Sequence, residues 1–362
     1  MSCCKLVDHR SGGGIGVRPV AVWLVLVGLV GLVQAASWSV ADDRVRPRPI
    51  PKDNLPGDLA DRKPPAGLVA GKANQAPVDP RTKRRIRLGR RLFFDPLLSK
   101  DRSLACVSCH DPAHGFADPR PVSIGIGGAR GTRNAPSLFN VALGRTFFWD
   151  GRAASLEEQA KGPIENPREL GTRLVDVVAR LKASPDYTAA FAESFADGVT
   201  ADNLAKAIAS FERVLLLGNS RVDRFRGGEA TALTSAQRQG LWIFESRGRC
   251  WRCHSGANFT DERFHNTGVG ADRPDPDPGR MAVTKRPGDR GRFKTPTLRG
   301  VARSAPYMHD GRTKTLRAVA EFYNKGGVRN AQLDPIIGPL GLSEKEVGFL
   351  VEFLKALDGQ WP

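Results

Sequence analysis

Apolar residues fall at helical spacing along several stretches of the chain, and no stretch is strand-rich. Ile86, Leu88, Leu92 and Phe93 predict a helix over Arg84 to Phe94, stopped at Asp95-Pro96, because proline cannot continue a helix. A polar helix is expected from Ser155 to Ala160. Leu174, Val177, Val178 and Leu181 repeat at i, i+3, i+4, i+7, and Leu204, Ile208, Phe211 and Leu215 do much the same. Thr234 to Phe244 opens with Thr and Ser as caps. A last helix starts at Ser343 with Glu346 as a capping box and buries Phe349, Leu350, Phe353, Leu354 and Leu357. Between these lie long loops, one glycine-rich (Ile124 to Gly128) and one proline-rich (Gly268 to Arg292). The pattern predicts an all-α fold with long loops.

The N-terminus reads differently. Lys5, Arg10 and Arg18 precede an apolar run from Val20 to Val33, and Val33-Gln34-Ala35 is a small-residue cleavage pattern. Residues 1–35 are therefore expected to be a signal peptide, with no stable membrane span, and the mature protein periplasmic. Residues 36–80 are rich in proline and charge and read as an extended arm. The remaining length suits two domains, joined near Arg221 to Glu229.

Lys and Arg number 55 against 38 Asp and Glu, a net charge of +17. The cations are scattered and export argues against nucleic acid. A field that steers an acidic protein partner fits better, beside the plainer reading of a solvated surface.

Six cysteines are present, and four form Cys106-Val107-Ser108-Cys109-His110 and Cys250-Trp251-Arg252-Cys253-His254. Cys3 and Cys4 fall in the leader. Cys-x-x-Cys-His is the signature of covalent c-type haem attachment: the thiols add to the vinyl groups and the imidazole ligates iron. A zinc site would not require His directly after both pairs. The glycine-rich loop lacks the strand-then-helix context of a phosphate cradle. The prolines between Asp272, Asp275 and Asp277 do not fit an EF-hand.

These motifs, with Leu92-Phe93-Phe94-Asp95-Pro96, Arg133-Asn134-Ala135-Pro136-Ser137, Phe148-Trp149-Asp150-Gly151-Arg152, Gln159-Ala160-Lys161-Gly162-Pro163, Phe264-His265-Asn266-Thr267-Gly268-Val269, Thr295-Pro296-Thr297-Leu298-Arg299 and Ala305-Pro306-Tyr307-Met308-His309-Asp310-Gly311, run in the order of a known family. Over roughly residues 84 to 357 the chain resembles the bacterial di-haem cytochrome c peroxidases and MauG. The resemblance implies two cytochrome c-like haem domains, here residues 81–226 and 227–362, two c-type haems and one calcium ion. His110 and His254 match the proximal ligands. The peroxidases' distal histidine falls at Ile126, which cannot ligate iron, so the first haem is expected to be open as in MauG. His114 is a rival, though on the same turn as His110. The sixth ligand of the second haem falls at Tyr323, with Met308 as competitor; a phenolate favours ferric iron and a thioether ferrous iron.

The resemblance also matches Gln159, Pro163 and Glu169 near the open haem, with Glu169 as acid/base toward peroxide, and Trp149 between the haems. Asn134, Ser304 and Pro306 match calcium ligands. MauG's surface Trp falls at Gly248, so the exit route differs. The expected function is a peroxidase acting on hydrogen peroxide and relaying oxidising equivalents to a small cytochrome c or other protein. An electron-carrying di-haem cytochrome, or maturation of a protein-derived quinone, are the alternatives.

Overall fold

Helix α1 (Pro80–Phe94) starts earlier than its apolar stripe suggests, because Asp79 accepts from the backbone N–H groups of Arg81 and Thr82 and Pro80 takes the first position. It ends at Asp95, as expected. The computed structural model describes residues 48–361 apart from Asp58, Arg62 and residues 69–78. The expected signal peptide and much of the arm thus lie outside the described residues. No helix among the described residues is long and apolar enough to cross a membrane.

Four helices follow in the first half: α2 (Leu156–Glu165), α3 (Leu174–Lys182), α4 (Pro185–Ser194) and α5 (Ala201–Glu212). Helices α1 and α5 cross where Gly89 meets the Ala207 carbonyl; a Cβ at 89 would lie 1.9 Å from that oxygen. Leu92, Val177, Leu181, Phe191, Leu204 and Ile208 fill the space between them.

After α6 (Arg221–Arg226) the second half repeats the device. Helix α7 (Ser235–Glu245) crosses α10 (Glu344–Ala356), and a Cβ at Gly240 would lie 2.0 Å from the Phe349 carbonyl oxygen. Helix α10 carries the expected capping box, Ser343 with Glu346, and at α7 the expected Thr234 cap is completed into a box by Gln237. A short helix α8 (Met281–Thr284) and helix α9 (Leu316–Asn324) complete the set. Two-residue strands β1 (Phe264–His265) and β2 (Phe293–Lys294) pair antiparallel and close the proline-rich loop. The fold is all-α with long loops.

The arm is not merely a tether. Leu59 and Ala60 are buried, Arg90 binds Asp53 and the Pro56 carbonyl, and Arg299 reaches the Gly67 carbonyl. Arg299 is itself buried in a bidentate pair with Asp223 of α6. At the other end Trp361 packs edge-on against Phe116 and Phe139.

Candidate functional site

The two Cys-x-x-Cys-His segments adopt one backbone form. Each is a single tight turn, Cys106–Ser108 and Cys250–Arg252, closed by a bond from the His N–H to the first Cys carbonyl (3.0 Å for His110, 2.9 Å for His254). Each imidazole is tied through Nδ1 to a backbone carbonyl, His110 to Phe116 at 2.9 Å and His254 to Phe259 at 3.0 Å. Nδ1 therefore donates, and Nε2 keeps its lone pair for a metal. Both accepting carbonyls belong to phenylalanines at positive φ (57° and 50°), a conformation that costs about 1–3 kcal/mol and is held by complete burial of both rings. All four cysteines are free thiols. Burial pushes Cys106 and Cys250 up to about 12 and Cys109 to about 11.

A cavity of about 500 Å³ opens beside the first turn. Cys109 and His110 line one side; Gln159, Pro163, Glu169, Trp149 and Arg152 line others. Ser155 caps α2 through the Glu158 N–H, and Gln159 and Pro163 lie four residues apart on one face of that helix. Glu169 follows on the next loop, where Asn166 Nδ2 donates to its Oε1 at 2.6 Å. Burial raises Glu169 above the usual carboxylate range, against the pull of Asn166 and Arg152. The Ile126 N–H donates to the Glu169 carbonyl at 2.9 Å, while the Ile126 side chain packs on the apolar core. His114 points elsewhere: its Nδ1 bonds Asp111 and its side chain is exposed.

The cavity also holds a carboxyl that the sequence reading missed. Glu212, at the end of α5, is buried, lines the cavity, and its Oε2 has no hydrogen-bond partner. Burial first, then the nearby Glu157, push it up to about 8, against Arg213. Its one signal was the stripe Ala205, Ala209, Glu212 at i, i+4, i+7, two small residues leading to an acid. Ser123 Oγ is likewise buried, unpartnered and on the cavity wall. Orphaned polar atoms, an aimed imidazole and free thiols fit a covalently attached haem.

At the second turn, Tyr323 on α9 lies near both cysteines. Burial pushes its phenol up to about 12, opposed by a hydrogen bond with Thr267 and reinforced by Cys253 and Cys250. Met308 instead lines the first cavity. His265 sits between two carboxylates, with Nδ1 to Asp334 at 2.6 Å and Nε2 to Asp261 at 2.9 Å. Hydrogen bonding to Cys253, Asp334 and Asp261 pushes it up to about 10 despite burial. Cys253, Asp261 and His265 form the one such cluster with metal-ligand spacing among the described residues, but its thiol is the one haem attachment would consume.

Between the halves, Trp149 Nε1 donates to the Asn134 carbonyl at 2.8 Å, and its own carbonyl accepts from Lys294 of β2. His309 lies edge-on to Trp149 (6.5 Å) and stacks on Phe293 (3.6 Å). Burial pulls His309 down to about 4, so it is neutral. Asn134 is buried and donates through Nδ2 to the Asp118 and Arg120 carbonyls; Oδ1 has no hydrogen bond among the described residues. Asn134, Ser304 and Pro306 all line the cavity wall.

Comparison with known proteins fits this geometry. Residues 83–231 match the family model "Di-haem cytochrome c peroxidase". The methylamine utilization protein MauG of Methylorubrum extorquens is 38% identical over 285 residues, 78% of this chain and 80% of that protein. The cytochrome c551 peroxidase of Pseudomonas aeruginosa is 37% identical over 284 residues, 76% of this chain and 79% of that one. A crystal structure of a MauG-like protein associated with microbial copper homeostasis superposes with TM-score 0.73 at 32% identity, covering 85% of this chain and 96% of the other. The chain belongs to the di-haem cytochrome c peroxidase and MauG family of haem enzymes.

Proposed function

We propose that this chain is an exported, periplasmic peroxidase that takes hydrogen peroxide at an open haem in its N-terminal half. It passes the oxidising equivalents toward a second haem in the C-terminal half and on to a protein partner. The halves are taken as residues 81–226 and 227–362. The observation that carries the reading is the cavity beside the first turn. His110 is the only histidine on its wall, and Glu169 and Gln159 line the same cavity. Haem supplies a redox-active iron there; Cys106, Cys109 and His110 would hold one group and Cys250, Cys253, His254 and Tyr323 the other.

The remaining work falls to side chains. Glu169 moves the peroxide proton from the proximal to the distal oxygen, a role suited to a carboxyl whose burial raises its affinity for a proton. Gln159 orients the peroxide from the same helix face that presents Pro163. Trp149, wedged between Asn134 and β2, carries electrons between the halves. Asn134 Oδ1 with the Ser304 and Pro306 carbonyls would hold calcium, since hard cations take oxygen donors. An electron carrier would need neither a free coordination position nor Glu169.

Electron paramagnetic resonance on the resting ferric protein tests the reading. One high-spin and one low-spin haem are expected. Two low-spin signals would overturn it, and would point to Met308, the thioether on the same cavity wall, as the unexpected ligand.

A further inference from the structure

Reduction of one hydrogen peroxide to two waters consumes two electrons and two protons. Glu169 moves the peroxide's own proton from one oxygen to the other, so it supplies neither of these. A cavity enclosed by protein needs a further acid, and that acid needs a way to be refilled from solvent. Three carboxyls line the first cavity: Glu169, Glu262 and Glu212. Glu169 accepts from Asn166 Nδ2 at 2.6 Å. Glu262 accepts from the Arg145 N–H at 2.9 Å and from Lys294 Nζ at 3.2 Å. Glu212 is 5% exposed, and its Oε2 has no partner among the described residues. An ionised carboxylate left buried and unpaired is costly, so such a group keeps its proton instead. Burial holds Glu212 up at about 8, against the pull of Arg213 and with a smaller push from Glu157.

Solvent is reached one residue further along the chain. Glu212 ends α5, and α5 packs against α2. Glu157 stands in the first turn of α2, and Arg213 caps α5. The two pair at 2.8 Å, with side chains 29% and 41% exposed. One carboxyl is thus enclosed on the cavity wall, and another is open to water where the same two helices meet. Arg213, next to Glu212 in the chain, anchors the outer one. Acids in such an arrangement can exchange a proton directly or through one water.

We propose that Glu157 and Glu212 form a proton path into the first cavity, with Glu157 loading from solvent and Glu212 delivering inside. The proposal rests on the peroxidase reading for what consumes the protons, and deepens it by naming how they arrive. In each turnover the O–O bond breaks as two electrons arrive from the donor's reduced centre. The two oxygens leave as water after taking two protons, one after the other, from Glu212. Glu157 refills Glu212 each time, and solvent refills Glu157. Arg213 is a positioning residue that keeps the outer carboxyl beside the inner one.

Two measurements on the full-length, haem-loaded protein test the path. The first needs no peroxide. Infrared spectroscopy at neutral pH should show a protonated-carboxyl band that Glu212→Gln removes. In heavy water that band should shift, and Glu157→Gln should slow the shift by roughly tenfold or more. The second mixes reduced protein with peroxide in weak buffer, with a pH-indicator dye reading proton uptake and absorption reading haem oxidation. In wild type the two should keep pace. In Glu212→Gln uptake should slow by roughly 10²-fold, the lower end of what a positioned acid contributes. Glu212→Asp, shorter but still an acid, should recover much of that loss, and so should acetic acid added to Glu212→Gln. Haem content read from the absorption spectrum checks that the variants are loaded. A carboxyl band indifferent to Glu212→Gln, exchange indifferent to Glu157→Gln, or uptake at the wild-type rate in Glu212→Gln would overturn the path and leave the peroxidase reading standing. Slow uptake that neither Glu212→Asp nor acetic acid restores would mark a structural role and overturn it too. Wild-type protein that exchanges the band through Glu157 yet is not oxidised by peroxide would overturn the peroxidase reading and leave the path standing.

Discussion

The first and second halves of this molecule build the same proximal turn and then face it with different elements. Each has a helix crossed at a glycine, a Cys-x-x-Cys-His turn, and an imidazole fixed by the carbonyl of a buried phenylalanine at positive φ. Opposite the first turn stand α2 and its following loop, with Gln159, Pro163 and Glu169. Near the second stands α9, with Tyr323. The turn supplies a place for haem, and the element across from it decides the chemistry, because axial ligation and nearby proton donors set what an iron can do. One scaffold can thus be used twice for two purposes.

The strongest way to break that comparison is to remove the acid on one side only. Glu169→Gln should slow the reaction with peroxide by roughly 10²–10⁴-fold, since a positioned acid/base group typically contributes that much. Its resting absorption spectrum should barely move. Rapid-mixing spectrophotometry reads both, and a rate within a few-fold of wild type would reduce the carboxyl to a structural role. Tyr323→Phe is the matching change on the other side. It should alter the low-spin signal, while Met308→Leu should leave that signal intact. The reverse pair of results would move Met308 to the second haem, in conflict with its position on the first cavity wall.

Buried titratable groups sharpen the contrast in a second way. Glu212 is pushed from 4.5 up to about 8 by burial. The folded state therefore holds a proton that the unfolded state releases, and stability falls as pH rises between those values, by at most about 1.4 kcal/mol per unit. In the other half His265 is pushed from 6.5 to about 10. Its contribution is complete below 6.5 and is lost as pH rises toward 10. Both slopes have one sign but different windows. Attachment of haem at Cys253 removes the thiol partner and narrows the upper one. Denaturant unfolding of Glu212→Gln across pH 5 to 8 should show a flatter profile than wild type; an unchanged slope would mean that Glu212 is ionised in the folded protein.

How much of this was legible follows from what each residue announces locally. Helices α1, α3, α5, α7 and α10 carry large apolar residues at helical spacing or caps ahead of them, so both their existence and their approximate ends could be read. Helix α4 could not, because Tyr187 and Phe191 stand among alanines and polar residues and make no stripe. Helix α9 carries Leu316, Val319, Ala320 and Tyr323 at i, i+3, i+4, i+7 behind its Thr315 cap, so the element that holds Tyr323 is legible as well. The haem motifs declared themselves through spacing. Glu169, Gln159 and Trp149 are distant from them in sequence, and only the resemblance pointed there. Glu212 stayed hidden because Phe211-Glu212-Arg213 looks like any helix end, and only the packing of α5 against α1 and α2 turns that acid inward. The arm misled for the opposite reason: its prolines read as a linker, yet Leu59 and Ala60 enter the core and Gly67 meets Arg299.

The smallest expected effect addresses whether the halves stand separately. Gly89 and Gly240 each sit under a carbonyl of the crossing helix, so a single methyl group at either position meets backbone rather than a side chain that can swing aside. Overpacking of this kind costs about 1–3 kcal/mol, and Gly89→Ala and Gly240→Ala should each lose that much stability despite alanine's better helix propensity. A loss of only a few tenths would mean that the helices slide apart freely and the crossings are not fixed points. Native-state hydrogen exchange separates the two cases further. If each half opens on its own, Gly89→Ala should expose amides of α1 and α5, and Gly240→Ala those of α7 and α10. The contacts that bridge the molecule argue for a partial spread. Trp361, from the end of the chain, packs on Phe116 and Phe139, and Arg299 joins α6 to the arm. The α1 and α5 amides should therefore feel Gly240→Ala weakly, and truncation before Trp361 should remove that coupling. Equal loss of protection everywhere in both variants would show one cooperative unit, and the two turns would then share a single folding fate as well as a single shape.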